Sequence, residues 1–97
     1  MDSRTHATKM KEISEKARKE NFKRQLKQDK DFIWEQIHRR ANMGCNHTQE
    51  LVISWSEIEE EQEEIRKMLK EQFEDVGYYV VFRNWEKVAG VCIEWRE

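Results

Sequence analysis

Residues 77–95 read GYYVVFRNWEKVAGVCIEW, and the fold turns on them. Tyr78, Val80 and Phe82 alternate with Tyr79, Val81 and Arg83. Val91, Ile93 and Trp95 alternate with Gly90, Cys92 and Glu94. Alternation with period two is the mark of a half-buried strand, so this stretch is predicted to be a hairpin turning at Asn84–Lys87. One of its faces completes a core. The other is also apolar, with Tyr79, Val81 and Cys92 on it, and needs a reason to exist.

Working backwards, Gly77 closes the preceding element. SEIEEEQEEIRKMLKEQFED, residues 56–75, carries Ile58, Ile65, Leu69 and Phe73 at helical spacing, with Met68 at the edge of that stripe. Glu57, Glu59, Glu60 and Glu61 crowd its start, where the helix dipole favours negative charge. Ser56 followed by Glu59 has the spacing of a capping box. Before it, Leu51, Ile53 and Trp55 alternate with Glu50, Val52 and Ser54, the pattern of a further strand. Val52 joins Tyr79, Val81 and Cys92 as a candidate for the second sheet face.

The first 43 residues hold no proline or glycine and are rich in Lys, Glu, Arg and Gln, all good helix formers. Helix is expected over most of 8–43, with a candidate break at 29–31, where Asp29 and Asp31 precede Phe32. Met10, Ile13 and Ala17 share one face, whereas Phe22 and Leu26 point elsewhere, so no sustained heptad runs through it. Ile33, Ile37 and Ala41, with Trp34 alongside, make a proper amphipathic stripe. Gly44 then supplies a left-handed helix stop. The expected architecture is α+β: a long basic N-terminal helix followed by a β-α-β-β unit with a three-stranded sheet. It divides into a basic helical arm, 1–30, and a small α+β domain, 31–97. The 32–41 helix is expected to cover the second sheet face; otherwise that face is an interface.

Composition narrows the function classes. Of 97 residues, 39% are charged and 37% hydrophobic, too few apolar residues for one compact globule. So small a core makes self-association a natural expectation. Residues 1–44 carry twelve Lys/Arg against seven Asp/Glu, a net +5; residues 45–97 carry six against thirteen, a net −7. Such a split suits an acidic partner for the arm, or head-to-tail association. No apolar run reaches membrane-spanning length and no signal peptide pattern opens the chain, so a cytoplasmic protein is expected. Cys45 and Cys92 then read as free thiols.

Chemistry-bearing motifs are sparse. His38, Cys45, His47 and Cys92 are residue types that zinc would accept, but three are close in sequence and the fourth is remote, so no metal site is expected. Cys45 and His47 lack a third group to orient them, and neither a phosphate loop nor a nucleophile elbow occurs, so no enzyme is expected and no cofactor is implied. Two binding readings remain. Tryptophan is frequent, with four residues. Trp85 falls in the predicted turn, outside easy reach of a core, and with Tyr79, Val81 and Trp34 forms a candidate protein-binding set. Equally, it can fold back over the hairpin. KARKENFKRQLKQDK, residues 16–30, is basic, and Lys23, Lys27, Arg39 and Arg40 form a candidate set for an anionic ligand, either a nucleotide or nucleic acid. A third reading makes the long helix an assembly element.

The order Ile37–Gly44, Leu51–Trp55, Ser56–Asp75, Gly77–Tyr78–Val80 and Ile93–Glu94–Trp95 resembles a group of small bacteriophage accessory proteins. The likeness spans roughly the last two-thirds of the chain. It implies a helix plus β-α-β-β fold, residence in a host bacterial cytoplasm and a role in binding and blocking a host protein, such as a defence component. It carries no catalytic residues.

Overall fold

The computed structural model describes residues 3–95, with side chains from residue 6 onward. Helix α1, Ser3–Asn42, leads to strand β1, Leu51–Ser54, and helix α2, Glu59–Gln72. A single 3₁₀ turn, Glu74–Val76, precedes strands β2, Tyr79–Asn84, and β3, Val88–Glu94. The fold is α+β, with a three-stranded antiparallel sheet in the order β1-β3-β2.

α1 is continuous, and the break expected at 29–31 does not occur. Asp29 does not cap a new helix. Its side chain turns to the sheet, where it accepts hydrogen bonds from Gln25 Nε2 at 3.1 Å and from the Ser54 backbone. With no proline and few β-branched residues near, nothing interrupts the helical ladder there. α1 ends as a Schellman turn: Gly44 has φ +83° and the Cys45 N–H donates to the Arg40 carbonyl at 3.0 Å. Gly77, at φ +106°, closes the 3₁₀ turn in the same left-handed conformation.

The α2 start differs from the capping box. Ser56 lies before the helix, where its Oγ accepts the Ile58 N–H at 3.1 Å and donates to Glu61 instead of engaging Glu59. The Gln62 side chain adds a bond to the Ser56 carbonyl at 2.8 Å. This local turn sets the corner between β1 and α2, and it delays the helix to Glu59.

Twelve buried hydrophobic residues form the core: Ile33 and Ile37 from α1, Ile65, Met68 and Leu69 from α2, Phe73, and the inward positions of the sheet with Trp55. Phe22 and Leu26 pack against it, so α1 engages the core earlier than residue 31. Met10 and Ile13 lie beyond its reach and are exposed. The molecule measures 65 × 21 × 21 Å because α1 outruns the sheet it packs on.

Both helices pack on the same face of the sheet, since Ile33, Ile37, Ile65 and Leu69 share one cluster with Leu51, Ile53, Val91 and Ile93. The 32–41 segment therefore does not cover the second face, contrary to expectation. Its apolar stripe is consumed by the core. Thr48 is fully buried and extends the sheet past β1: its N–H donates to the Ile93 carbonyl at 2.8 Å and its Oγ1 accepts the Ile93 N–H at 3.0 Å.

Candidate functional site

The uncovered sheet face is the feature with the most to explain. Register places its residues without ambiguity. On β3, Gly90 stands between Val52 of β1 and Arg83 of β2. Cys92 lies beside Val81, and Glu94 beside Tyr79. Val52 is 59% exposed, Tyr79 56%, Val81 50%, Trp85 49% and Val88 40%. Five large apolar residues thus share one solvent-facing surface. Their burial elsewhere would remove apolar area worth ~25 cal/mol per Å² from water.

Gly90 gives this face its relief. A Cβ at residue 90 would lie 3.0 Å from Cζ3 and Cη2 of Trp85 and would strike the Glu50 carboxylate. Trp85 has therefore folded back from the hairpin end and lies over the glycine, half its surface still in solvent. A glycine within a strand allows this close approach. Beyond it, Glu50, Val81, Arg83, Gly90, Cys92 and Glu94 line a shallow groove of about 310 Å³. The Cys92 thiol donates to the Thr48 carbonyl at 3.2 Å, so it serves the strand pairing.

Of the four residues expected to bind protein, Tyr79, Val81 and Trp85 lie on this face. Trp34 does not. Its ring packs 4.8 Å from Phe73 and 5.6 Å from Tyr78, on the helical side of the sheet. The sequence pattern places it next to Ile33 and Ile37 on the amphipathic stripe, which is where its role lies. Glu50, Arg83, Val88 and Gly90 were not expected at the site. The signal for Gly90 was present: a glycine inside an alternating run, five residues after an unclaimed tryptophan.

No known protein family, curated protein or solved structure matches this chain.

The basic residues do not form one site. Lys23, Lys27 and Lys30 line a groove of about 320 Å³ with Lys67 and Met68 of α2. Arg39 and Arg40 lie about 18 Å further along α1, at 1.5 Å rise per residue. Arg39 pairs with Glu35 at 3.7 Å, and the Arg40 Nε donates to the His47 carbonyl at 3.4 Å. Both arginines thus act at the helix end, where the dipole also favours them.

A second cleft, about 460 Å³, opens where α1 and α2 diverge, with Phe22, Leu26 and Ile58 among its lining. Its rim carries Arg18 and Lys19 against Glu60 and Glu61, and Arg18 reaches Glu61 at 3.9 Å. The two signs compensate across it. Among the described residues, no three His, Cys, Asp or Glu side chains converge as metal ligands, and no helix is long and apolar enough to cross a membrane. His47 Nδ1 lies 3.0 Å from Asn46 Oδ1, a contact within its own loop.

Proposed function

We propose that this chain is a non-enzymatic binding protein that grips a host protein on the open face of its sheet, and so inhibits or modulates it. The observation behind this reading is the shared exposure of Val52, Tyr79, Val81, Trp85 and Val88 on one face. A flat apolar face with an anchored tryptophan suits a protein surface better than a small ligand. Trp85 already lies against Gly90, so part of its ring is packed before any partner binds. The resemblance to small phage proteins supplies the setting, a bacterial cytoplasm, and the role, counter-defence or takeover of a host activity.

The test is affinity isolation from bacterial cells expressing the tagged chain, with Trp85→Ala and Val52→Glu in parallel. A discrete partner is expected with the unaltered chain. Truncating a tryptophan anchor costs about 2 kcal/mol or more, so its affinity for that partner falls roughly 30-fold or more in Trp85→Ala. Equal retention of the partner by both variants, with unchanged circular dichroism, would reject the reading.

The lysine groove favours a second reading, an anionic polymer tracked along α1. Lys23, Lys27 and Lys30 make no ion pair among the described residues. Binding of short duplex DNA would then weaken steeply with salt, by a slope of ~0.9 per phosphate contact. Absence of binding at low salt rejects it.

A further inference from the structure

The order β1-β3-β2 leaves the sheet two edges, and the chain treats them differently. The β1 edge is attended. α1 packs beside that strand, and the Asp29 carboxylate accepts a hydrogen bond from the Ser54 backbone. Strand β1 is also short, at four residues.

Among the described residues, the β2 edge has no such cover. Its six residues, Tyr79–Asn84, include no proline, and Arg83 is the one charged side chain. The phase of the hairpin shows which backbone groups face out. Trp85 N–H donates to the Val88 carbonyl at 2.8 Å, which makes this a hydrogen-bonded pair. Pairs alternate in an antiparallel ladder, so Arg83, Val81 and Tyr79 direct their backbone groups to β3. Val80, Phe82 and Asn84 direct theirs outward. Among the described residues, no hydrogen bond reaches those outward groups. An edge of this kind, with no proline or bulge and no covering segment among the described residues, is a template for another strand.

We infer that the β2 edge is a self-pairing interface, at which a second copy of this chain adds its own β2 antiparallel to form a six-stranded sheet. A two-fold axis through Val81 gives the matching register. Val80 then faces Phe82 of the second copy, Val81 faces Val81, and Tyr79 faces Arg83. Val80 and Phe82 are only partly buried at the rim of the core, and each covers the other across the axis. The outward groups of Val80 and Phe82 meet as hydrogen-bonded pairs. This register keeps the helices of both copies on one side of the joined sheet. A slip of one residue sets these outward groups against groups that already face β3, so no ladder forms. A slip of two one way sets Asn84 against Val80, and the other way sets Phe82 against Tyr78, whose N–H is already bound to the Phe73 carbonyl at 2.9 Å. Closed two-fold pairing is also the commonest form of self-association. It joins the two open faces into one surface with Val81 at its centre, and it holds whether or not that surface binds a host protein.

Sedimentation equilibrium of the full chain is the test, with a species of twice the 11.9 kDa chain mass expected. Val80→Pro removes an outward N–H that an edge strand does not need, and it should give a monomer with an unchanged circular dichroism spectrum. Val81→Lys opposes two ammonium groups at the axis without touching the core. It should weaken self-association at least tenfold, which keeps the test valid if the proline variant does not fold. Val81→Cys, with Cys45 and Cys92 changed to serine, should form an intermolecular disulfide on mild oxidation. The inference is overturned by a wild-type chain that stays at single-chain mass from micromolar to millimolar concentration. A dimer that survives Val81→Lys, or whose Val81→Cys chains do not cross-link, overturns it equally.

Discussion

Gly90 and Asp29 show how much a single residue can organise here. Alanine in place of a strand glycine ordinarily stabilises by ~0.5–1 kcal/mol. At Gly90 the sign should reverse, because the added Cβ meets Trp85 at 3.0 Å. Gly90→Ala is expected to cost about 1–2 kcal/mol through overpacking. In 5-fluorotryptophan NMR it should move the one resonance that Trp85→Phe deletes; an unmoved resonance means that the ring does not lie on Gly90. Asp29 makes a pH prediction. Burial holds its carboxyl above the ordinary value of 3.8, while the bonds from Gln25 and Ser54 oppose that shift. The folded state therefore takes up this proton more readily than the unfolded state. Its contribution to stability is greatest below pH 3.8 and is lost as pH rises through the raised folded value. Asp29→Asn can still accept the Ser54 N–H through Oδ1. Relative to wild type it should be more stable near neutral pH, and the gap in Tm should close as pH falls toward 3.8. A gap that is constant with pH would show that burial does not govern this group.

At the scale of elements, α1 is two structures in one helix. From Phe22 onward it is a core helix; before that it is an exposed arm with Met10 and Ile13 in solvent. Removal of residues 1–17 is expected to leave Tm within a few degrees of wild type, because no core residue is lost. Removal of residues 1–27 also takes Phe22 and Leu26 and should cost ~2–4 kcal/mol, since burying each such side chain is worth ~1.5–3 kcal/mol at most. Chemical denaturation of the two truncations decides it, and equal losses would refute the division. The sequence pattern showed the helix, both strands of the hairpin and α2, because period and punctuation are local signals. It did not show where α1 docks, since a stripe that changes face along the helix averages to nearly nothing. Nor did it show that α1 and α2 share one face of the sheet. That outcome depends on long-range packing of Ile33 and Ile37, and it is the reason the second face stays open. Tyr79 and Val81 were legible on the open face because alternation assigns a face, whereas Trp85 stood out only as a tryptophan in the predicted turn. Trp34 was misplaced because its helix packs on the other side.

At the scale of the molecule, one small core supports a 65 Å body, and its aromatic residues have divided labour. Phe73 is fully buried, packs 4.8 Å from Trp34 of α1 and lies 6.5 Å from Tyr78 at the start of the hairpin. It therefore joins both helices to the sheet. Trp85 is half exposed and joins nothing but the surface it lies on. Truncating a buried phenylalanine costs ~3–5 kcal/mol. A core this small supplies about that much in total. Phe73→Ala is thus expected to lose cooperative thermal unfolding and near-ultraviolet circular dichroism at 25 °C, the reference temperature for these energies. Trp85→Ala should cost about 1–2 kcal/mol, well below Phe73→Ala, because only about half of its ring is buried. If self-pairing at β2 contributes to folding, the Phe73→Ala chain should recover structure as its concentration rises, because association stabilises by mass action. Recovery that Val81→Lys abolishes would tie the stability of this core to its second copy. An unfolding curve independent of concentration in the wild-type chain would mean that the core stands alone.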